Sequence, residues 1–211
     1  MDPLQLFLHL DVTLGNVIAA YGPWVYALLF LIVFCETGLV VTPFLPGDSL
    51  LFAAGAFASA DGLDLQLVLP LLFAAAVIGD TVNYWIGRRC GRAVLENGRL
   101  LGLPVKKGHI ERTQRFYARY GVKAIVLARF MPIIRTVAPF VAGVGSMDYR
   151  KFIVYNLAGA AAWVGLFVLG GYFFGNVPFV KKNFEFVILG IIFISVLPAL
   201  REFARSRKSP A

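Results

Sequence analysis

Apolar residues form long stretches in this chain, more continuous than the half-polar helices and strands of a soluble protein. Three stretches have about the 20 residues that a helix needs to cross the hydrocarbon core of a bilayer. They lie at residues 65–87, 152–175 and 184–203. The pattern therefore predicts three full transmembrane helices.

Two further apolar stretches, 24–60 and 122–147, contain helix-breaking residues. The interruptions fall at Pro43, Pro46, Gly47, Pro132 and Pro139. Proline removes a helical hydrogen bond and clashes with the preceding turn, and backbone without partners survives at membrane depth only inside protein or beside a water-filled cavity. We therefore predict two re-entrant helical hairpins, the first entering from outside and the second from the cytoplasm.

The two halves of the chain contain similar short motifs in the same order. Tyr21-Gly22 precedes the first hairpin and Tyr120-Gly121 the second, while Ala54-Gly55 and Ala142-Gly143 follow the breaks. Transporters built as inverted repeats place their sites where two broken helices meet near mid-membrane. The predicted fold is an all-α integral membrane protein in one domain over residues 1–211. It is an inverted repeat with two opposed re-entrant hairpins, about three full transmembrane helices and interfacial helices.

The composition agrees with a membrane protein and excludes an ordinary soluble enzyme. Hydrophobic residues make up 59% of the chain and charged residues 15%, whereas soluble domains are about 45–50% apolar and about 25% charged. Both cysteines stand alone without a CxxC or His/Cys cluster, so neither a metal nor a cofactor is expected. No nucleophile has an adjacent base, so we do not expect an enzyme.

Positive charge is absent before Arg88 and dense after it. Nine Lys or Arg residues lie between Arg88 and Arg119, against two acidic residues. Basic segments resist translocation. The linker 88–121, with an amphipathic helix, and the basic tail 204–211 are therefore predicted to be cytoplasmic. Nucleic-acid binding is disfavoured because the basic run directly follows an apolar crossing.

Four ionisable residues inside the broken stretches carry the functional prediction. Glu36 and Asp48 flank the first break, and Arg129 and Arg135 flank Pro132. Each would cost roughly 2.5–3.5 kcal/mol at the bilayer centre if it faced lipid, so we expect them to face one another or a wet cavity. Arginine holds phosphate bidentately, and two repelling, desolvated acids favour uptake of a proton by one of them. The alternative interpretation is that they are buried structural ion pairs, or residues at the hairpin tips that reach the lipid headgroups.

A second polar group, Asp80, Asn83 and Tyr84, lies toward the cytoplasmic end of the first crossing. Hydrogen bonding between helices is the favoured role for it over direct substrate contact. Asn156 and Trp163 in the next crossing receive less weight, and Trp163 is interpreted as packing or anchoring. Other supporting residues are those expected to keep the breaks open, Pro46, Gly47, Pro132 and Pro139, together with Gly143.

Several linked motifs resemble the bacterial DedA family, which carries the VTT domain. They are Phe34-Cys35-Glu36-Thr37-Gly38, Pro43-Phe44-Leu45-Pro46-Gly47-Asp48, Gly79-Asp80-Thr81-Val82-Asn83-Tyr84, Ala128-Arg129-Phe130-Met131-Pro132-Ile133-Ile134-Arg135-Thr136 and Ala138-Pro139-Phe140-Val141-Ala142-Gly143. The resemblance implies a multi-pass protein of the bacterial inner membrane with two facing hairpins. It also implies a part in recycling undecaprenyl phosphate and in envelope integrity. The two acids and two arginines that family members need map onto Glu36, Asp48, Arg129 and Arg135.

Together these features favour a proton-motive-force-dependent lipid flippase for undecaprenyl phosphate or a related anionic lipid. Arg129 and Arg135 would bind the lipid phosphate, while Glu36 and Asp48 would carry the coupling proton. The alternative is a proton-coupled antiporter or ion-homeostasis protein that uses the same carboxylates. Expected partners are the anionic lipid phosphate, protons and membrane lipids, and the sequence leaves homo-oligomerisation open.

Overall fold

A computed structural model of the chain describes residues 22–38, 47–60, 62–97, 99–100, 103–104 and 107–175, with a few single positions between 177 and 190. The helices in these ranges are α1 (Trp24–Gly38), α2 (Gly47–Ser59), α3 (Leu65–Asn97), α4 (Lys107–Tyr120), α5 (Ala124–Ala128), α6 (Pro132–Val144) and α7 (Tyr149–Phe174). Two short antiparallel strands, β1 (Arg99–Leu100) and β2 (Leu103–Pro104), separate α3 from α4. A 3-10 turn at Gly121–Lys123 leads into α5. The predicted helical class is confirmed.

Some predicted features lie outside the described residues. They include Pro43 and Pro46 of the first break, the tail 204–211, and all but four positions of the crossing predicted at 184–203.

Among the described residues, two helices are long and apolar enough to cross a membrane. The apolar spans are Leu65–Cys90 in α3 and Tyr149–Phe174 in α7, each 26 residues long with a mean hydropathy of 1.9. At 1.5 Å per residue each is about 39 Å long, more than the roughly 30 Å of the hydrocarbon core. α3 continues beyond this span to Asn97, into the basic segment. Large apolar side chains such as Val154 and Leu166 are exposed on α7, as expected for a surface that faces lipid.

The other apolar helices within the described residues are too short to cross. α1, α2 and α6 have 15, 13 and 13 residues and α5 has five. α5 ends at Ala128, Met131 is extended (φ −123°, ψ 103°), and Pro132 is the first residue of α6. Proline pushes the residue before it out of the helical conformation and suits the first position of a helix. The predicted break at Pro132 is therefore present.

The break predicted at Pro139 is wrong, because Pro139 lies inside α6 and the helix is continuous through it. Proline there removes a single hydrogen bond, the one to the carbonyl of Arg135. Neighbouring elements contact the helix at this point. The Tyr117 hydroxyl of α4 donates to the Ala138 carbonyl (3.0 Å), and fully buried Phe140 packs against Ile86 of α3.

The short helices exchange partners between the two halves of the chain. α1 packs on α3 and α5 packs on α7, so the first helix of each broken pair contacts the crossing that follows it. By contrast, α2 packs on α7 and α6 packs on α3. Each half therefore completes the core of the other, which is the arrangement expected if the two halves are repeats.

Glycines allow these exchanged helices to touch at the backbone. A Cβ on Gly55 of α2 would overlap the Val168 carbonyl of α7, and one on Gly171 of α7 would overlap the Phe52 carbonyl of α2. Gly143 of α6 lies in the same way against the Tyr84 carbonyl of α3. Small residues permit close helix approach in lipid, where van der Waals contact drives association.

The turn between α6 and α7 contains a non-glycine residue in the left-handed region. The Ser146 amide donates to the Gly143 carbonyl (3.0 Å) and the Met147 amide to the Ala142 carbonyl (3.0 Å). This pattern is a Schellman motif, in which glycine usually occupies the left-handed position. Ser146 occupies it with φ of +54°. For a non-glycine residue this conformation costs roughly 1–2 kcal/mol of stability.

We expect Ser146→Gly to stabilise the protein by about 1 kcal/mol, since glycine relieves this strain. Thermal unfolding of the full chain in detergent would measure it. Ala158→Gly, at an exposed position inside α7, is the matched control and should lose stability because glycine weakens the interior of a helix. Equal shifts in the two variants would contradict the explanation.

Candidate functional site

Three helix ends meet at the first of two charged clusters. Glu36 lies in the last turn of α1, Asp48 in the first turn of α2 and Arg135 in the first turn of α6. Arg135 donates through Nη1 to Asp48 Oδ1 (2.7 Å) and through Nη2 to Glu36 Oε1. The Glu36 side chain is 1% exposed, and those of Arg135 and Asp48 are 10% and 13% exposed. The Arg135 guanidinium thus binds carboxylates from two other helices in the interior of the protein.

The dipoles of their own helices disfavour the charges of both Glu36 and Arg135, so each charge is stabilised by the other. A carboxylate is disfavoured at a helix C-terminus and a guanidinium at an N-terminus, each by about 0.3–1 kcal/mol. Glu36 and Arg135 occupy these positions, whereas Asp48 is favourably placed at the start of α2.

The Gly47 amide also donates to Glu36 Oε1 (3.2 Å). A Cβ on Gly47 would overlap the Glu36 carboxylate, so a larger residue here would displace that side chain.

A second charged cluster surrounds Arg129, which directly follows α5. Its Nη2 donates to Asp80 Oδ2 in α3 and to Asn156 Oδ1 in α7, both at 2.5 Å. The Asn156 amide donates in turn to the Val77 carbonyl of α3 (3.1 Å). The side chains of Asp80, Arg129 and Asn156 are all buried. Their hydrogen bonds connect the end of α5 to both long helices.

Trp163 of α7 links the two clusters. Its Nε1 donates to Asp48 Oδ1 (2.8 Å), and its ring centroid lies 5.2 Å from Arg135 Cζ and 5.9 Å from Arg129 Cζ. Cations within about 6 Å of an aromatic face are attracted by its quadrupole. A cavity of about 10 Å³ lies between these groups, lined by Thr37, Asp80, Arg129, Arg135 and Trp163. That volume accommodates about one water molecule.

Asn83 positions the first cluster without joining it. Its side-chain amide donates to the carbonyls of Thr37 (3.1 Å) and Thr136 (2.8 Å), the neighbours of Glu36 and Arg135 in sequence. The helices that carry the acid and the arginine are therefore tied to the same residue of α3. Such hydrogen bonding between helices is the role that the sequence favoured for Asn83.

The charges of the two clusters do not balance. Among the described residues, three acids, Glu36, Asp48 and Asp80, face two arginines, which leaves one excess negative charge when every group is ionised. Glu36 Oε2 and Arg129 Nε have no hydrogen-bond partner among the described residues. Within those residues, no three His, Cys, Asp or Glu side chains are placed to hold a metal ion. An uncompensated buried charge is costly, so these described groups taken alone would favour the uptake of one positive charge.

Comparison with known proteins identifies the family. Residues 45–173 match the VTT domain. The chain is 50% identical to Protein DedA of Escherichia coli strain K12 over 210 residues, which covers 99% of this chain and 95% of that protein. This chain belongs to the DedA family.

More distant relatives are also membrane proteins by name. An uncharacterized membrane protein of Mycobacterium leprae strain TN is 42% identical over 171 residues, 80% of this chain and 75% of that protein. Inner membrane protein YghB of Escherichia coli strain K12 is 34% identical over 174 residues, 82% of this chain and 77% of that protein. No solved structure matches the chain. With its two long apolar helices, this DedA-family chain is a membrane protein.

The four charged residues predicted from the sequence fall into different clusters. Glu36, Asp48 and Arg135 lie together, as expected for facing hairpins. Arg129 pairs with Asp80, so its acidic partner comes from a long helix and not from the first hairpin.

The predicted supporting residues are more dispersed. Tyr84 donates its hydroxyl to the Met147 carbonyl, and Gly143 packs on α3. Pro139 lies within α6, and Pro132 begins it. These residues shape the helices and their packing, whereas Gly47, Asp80 and Asn83 contact the clusters or their neighbours.

Sequence reasoning gave too little weight to Asn156 and Trp163, which both belong to the site. A signal for each was available. Trp163 stands in the middle of an apolar span, although tryptophan in membrane helices concentrates near the interfaces. Asn156 is a buried amide on the same face of α7, two turns earlier, and polar residues in such spans are costly unless they are partnered.

Proposed function

We propose that this DedA-family protein is a proton-motive-force-dependent translocase of an anionic lipid phosphate. Undecaprenyl phosphate is the substrate that the resemblance implies. The bacterial inner membrane is the proposed location, with the C-terminus in the cytoplasm. The observation that carries the proposal is the Arg135 guanidinium, which holds two separate carboxylates within a buried cluster that has one acid in excess.

The donors of Arg135 suit a phosphate group. Its Nη1 and Nη2 each donate to a different carboxylate oxygen, and a phosphate presents two oxygens to the same planar fork. Arginine also keeps its charge at any physiological pH. Glu36 and Asp48 therefore occupy the donors that a lipid phosphate would use, and the acids and the phosphate would compete for them.

Proton binding would decide that competition. One proton on Glu36 or Asp48 neutralises the excess charge of the clusters and weakens the hold of that acid on Arg135. Arg135 could then bind the phosphate, and loss of the proton on the other side would restore the carboxylate and expel the lipid. In this scheme proton movement and lipid movement are coupled because both act on one guanidinium.

Translocation would require the site to open. A cavity of about 10 Å³ between the clusters holds about one water and excludes a phosphate group. We interpret α1–α2 and α5–α6 as the two re-entrant hairpins, whose ends meet at Glu36, Asp48 and Arg135. Movement of one hairpin relative to α3 and α7 would separate the pairs and admit the headgroup from one side.

The excess negative charge also favours a second candidate, a proton-coupled antiporter. In that case the carboxylates would carry protons in exchange for another cation, and Arg135 would serve only as their ionic partner. Lysine could then replace it, because a point charge is enough for pairing. The two functions differ in whether the planar fork matters.

Reconstitution of the full chain in liposomes would test the proposal, with flipping of polyprenyl phosphate measured with and without a pH gradient. We expect the gradient to accelerate flipping, and Arg135→Lys to lower the rate by about tenfold or more because lysine lacks the bidentate fork. Arg115→Lys, at an exposed position on α4, is the matched control. Wild-type flipping by Arg135→Lys would refute the fork mechanism, and proton flux without added lipid would favour the antiporter.

A further inference from the structure

A second cavity opens between α3 and the N-terminus of α7. Its volume is about 450 Å³, and it is lined by Trp85, Arg88, Ser146, Asp148, Tyr149 and Arg150. This size falls within the range of small-molecule sites, roughly 300–1,000 Å³. Arg88 lies eight residues along α3 from Asp80, a distance of about 12 Å in a helix. The cavity is therefore separate from the charged clusters.

The cavity lies where two apolar spans end. The span in α3 ends at Cys90, and the span in α7 begins at Tyr149. The Trp85 and Tyr149 rings lie 5.6 Å apart, and Trp85 is 39% exposed. Tryptophan and tyrosine are enriched at the level of the lipid headgroups. Both observations place the cavity at the boundary between hydrocarbon and water.

The lining carries positive charge in fixed positions. Arg88 Nη1 donates to the Tyr84 hydroxyl (2.8 Å) and to the Met147 carbonyl (3.3 Å), which holds its guanidinium at the rim. The Cζ atoms of Arg88 and Arg89 lie 5.9 and 5.8 Å from the Trp85 ring centroid. Arg88 is thus pre-ordered at the rim of the cavity, whereas Arg150 is an exposed side chain of the lining.

The acidic residue of the lining is engaged elsewhere. Asp148 Oδ1 accepts hydrogen bonds from the backbone amides of Arg150 (2.8 Å) and Lys151 (3.2 Å) and so caps α7. The partial positive charge of the helix N-terminus offsets this carboxylate. Arg88 and Arg150 then leave the cavity with a net attraction for an anion.

We propose that this cavity binds the phosphate headgroup of an anionic phospholipid at the membrane boundary. Arg88 and Arg150 contact the phosphate oxygens, and Trp85 and Tyr149 pack against the glycerol and upper acyl region. The site does not rest on the proposed translocation, because none of its lining residues belongs to the charged clusters. A free phosphate ion shares the headgroup chemistry but lacks the apolar part that the two rings would cover.

Native mass spectrometry of the full chain in detergent would test this inference with two lipids of identical acyl chains. We expect phosphatidylglycerol to bind more tightly than phosphatidylcholine. Arg150→Gln should weaken phosphatidylglycerol binding about fivefold, the contribution of one basic side chain near an anionic lipid. The Arg150 side chain is exposed, so the variant should fold, and an unchanged thermal transition would verify this.

Arg115→Gln removes the same charge from an exposed position of α4 and should leave phosphatidylglycerol binding unchanged. Equal losses in the two variants, or no loss in Arg150→Gln, would overturn the proposal in favour of general charge attraction or no site. Inorganic phosphate added as a competitor separates the two sources of the anion. Displacement of the lipid by phosphate at equal concentration would assign the cavity to the free ion.

Discussion

Replacing Gly171 by alanine is expected to destabilise the protein by about 3 kcal/mol or more, the upper range for overpacking a core. The added methyl group would overlap the backbone carbonyl of Phe52, and a carbonyl inside a helix cannot turn away as a side chain can. α2 and α7 would have to separate along their contact. The yield of folded protein and its thermal unfolding in detergent would measure the loss.

The adjacent glycine provides a matched control. A Cβ on Gly170 meets nothing within 4 Å, and alanine is a better helix former than glycine by about 1 kcal/mol. Gly170→Ala should therefore be as stable as the wild type or slightly more stable. If the two variants behaved alike, the close backbone contact between α2 and α7 would not be present in the folded protein.

Replacing Arg135 by glutamine is expected to cost about 3–5 kcal/mol of stability, because it leaves two buried carboxylates without their cation. The excess negative charge of the clusters rises from one to two when every group is ionised. Chemical unfolding in detergent would measure this loss. Lys151→Gln removes a positive charge from an exposed position and should have little effect.

A triple variant separates the stability of this cluster from its function. Adding Glu36→Gln and Asp48→Asn to Arg135→Gln removes the unpaired charges, and neutral replacement of a whole ion-pair group is often close to neutral in stability. We therefore expect stability to return while lipid flipping stays lost. A triple variant that flips lipid at the wild-type rate would show that the three residues are structural only.

Hydropathy was sufficient to find the long helices and the second break, because both depend on local properties of the chain. Continuous apolar residues define α3 and α7, and Pro132 excludes the preceding residue from a helix. Pro139 has the same local signal but lies within α6. The difference comes from packing by Tyr117 and Phe140, which is tertiary and cannot be deduced from the position of the proline.

The charged residues could be identified as a group, but their pairing could not. A charge in an apolar stretch needs a partner. This rule predicts that Glu36, Asp48 and Arg135 lie together, but it does not predict which atoms form the hydrogen bonds. Arg129 could have paired with an acid of the first hairpin or of a long helix. The pairing of Arg129 with Asp80 depends on how α5 packs against α3 and α7. That packing is set by contacts between residues far apart in sequence.

The exchange of partners between the halves has a consequence for biosynthesis. At about 5–20 residues per second, roughly 5–20 s pass between synthesis of Ser59 at the end of α2 and of Tyr149 at the start of α7. During this time the face of α2 that contains Gly55 and the carboxylate of Asp48 lack the helix that covers them. The nascent chain must therefore be sheltered by the insertion machinery, and slow elongation through the second half would expose it to quality-control proteases.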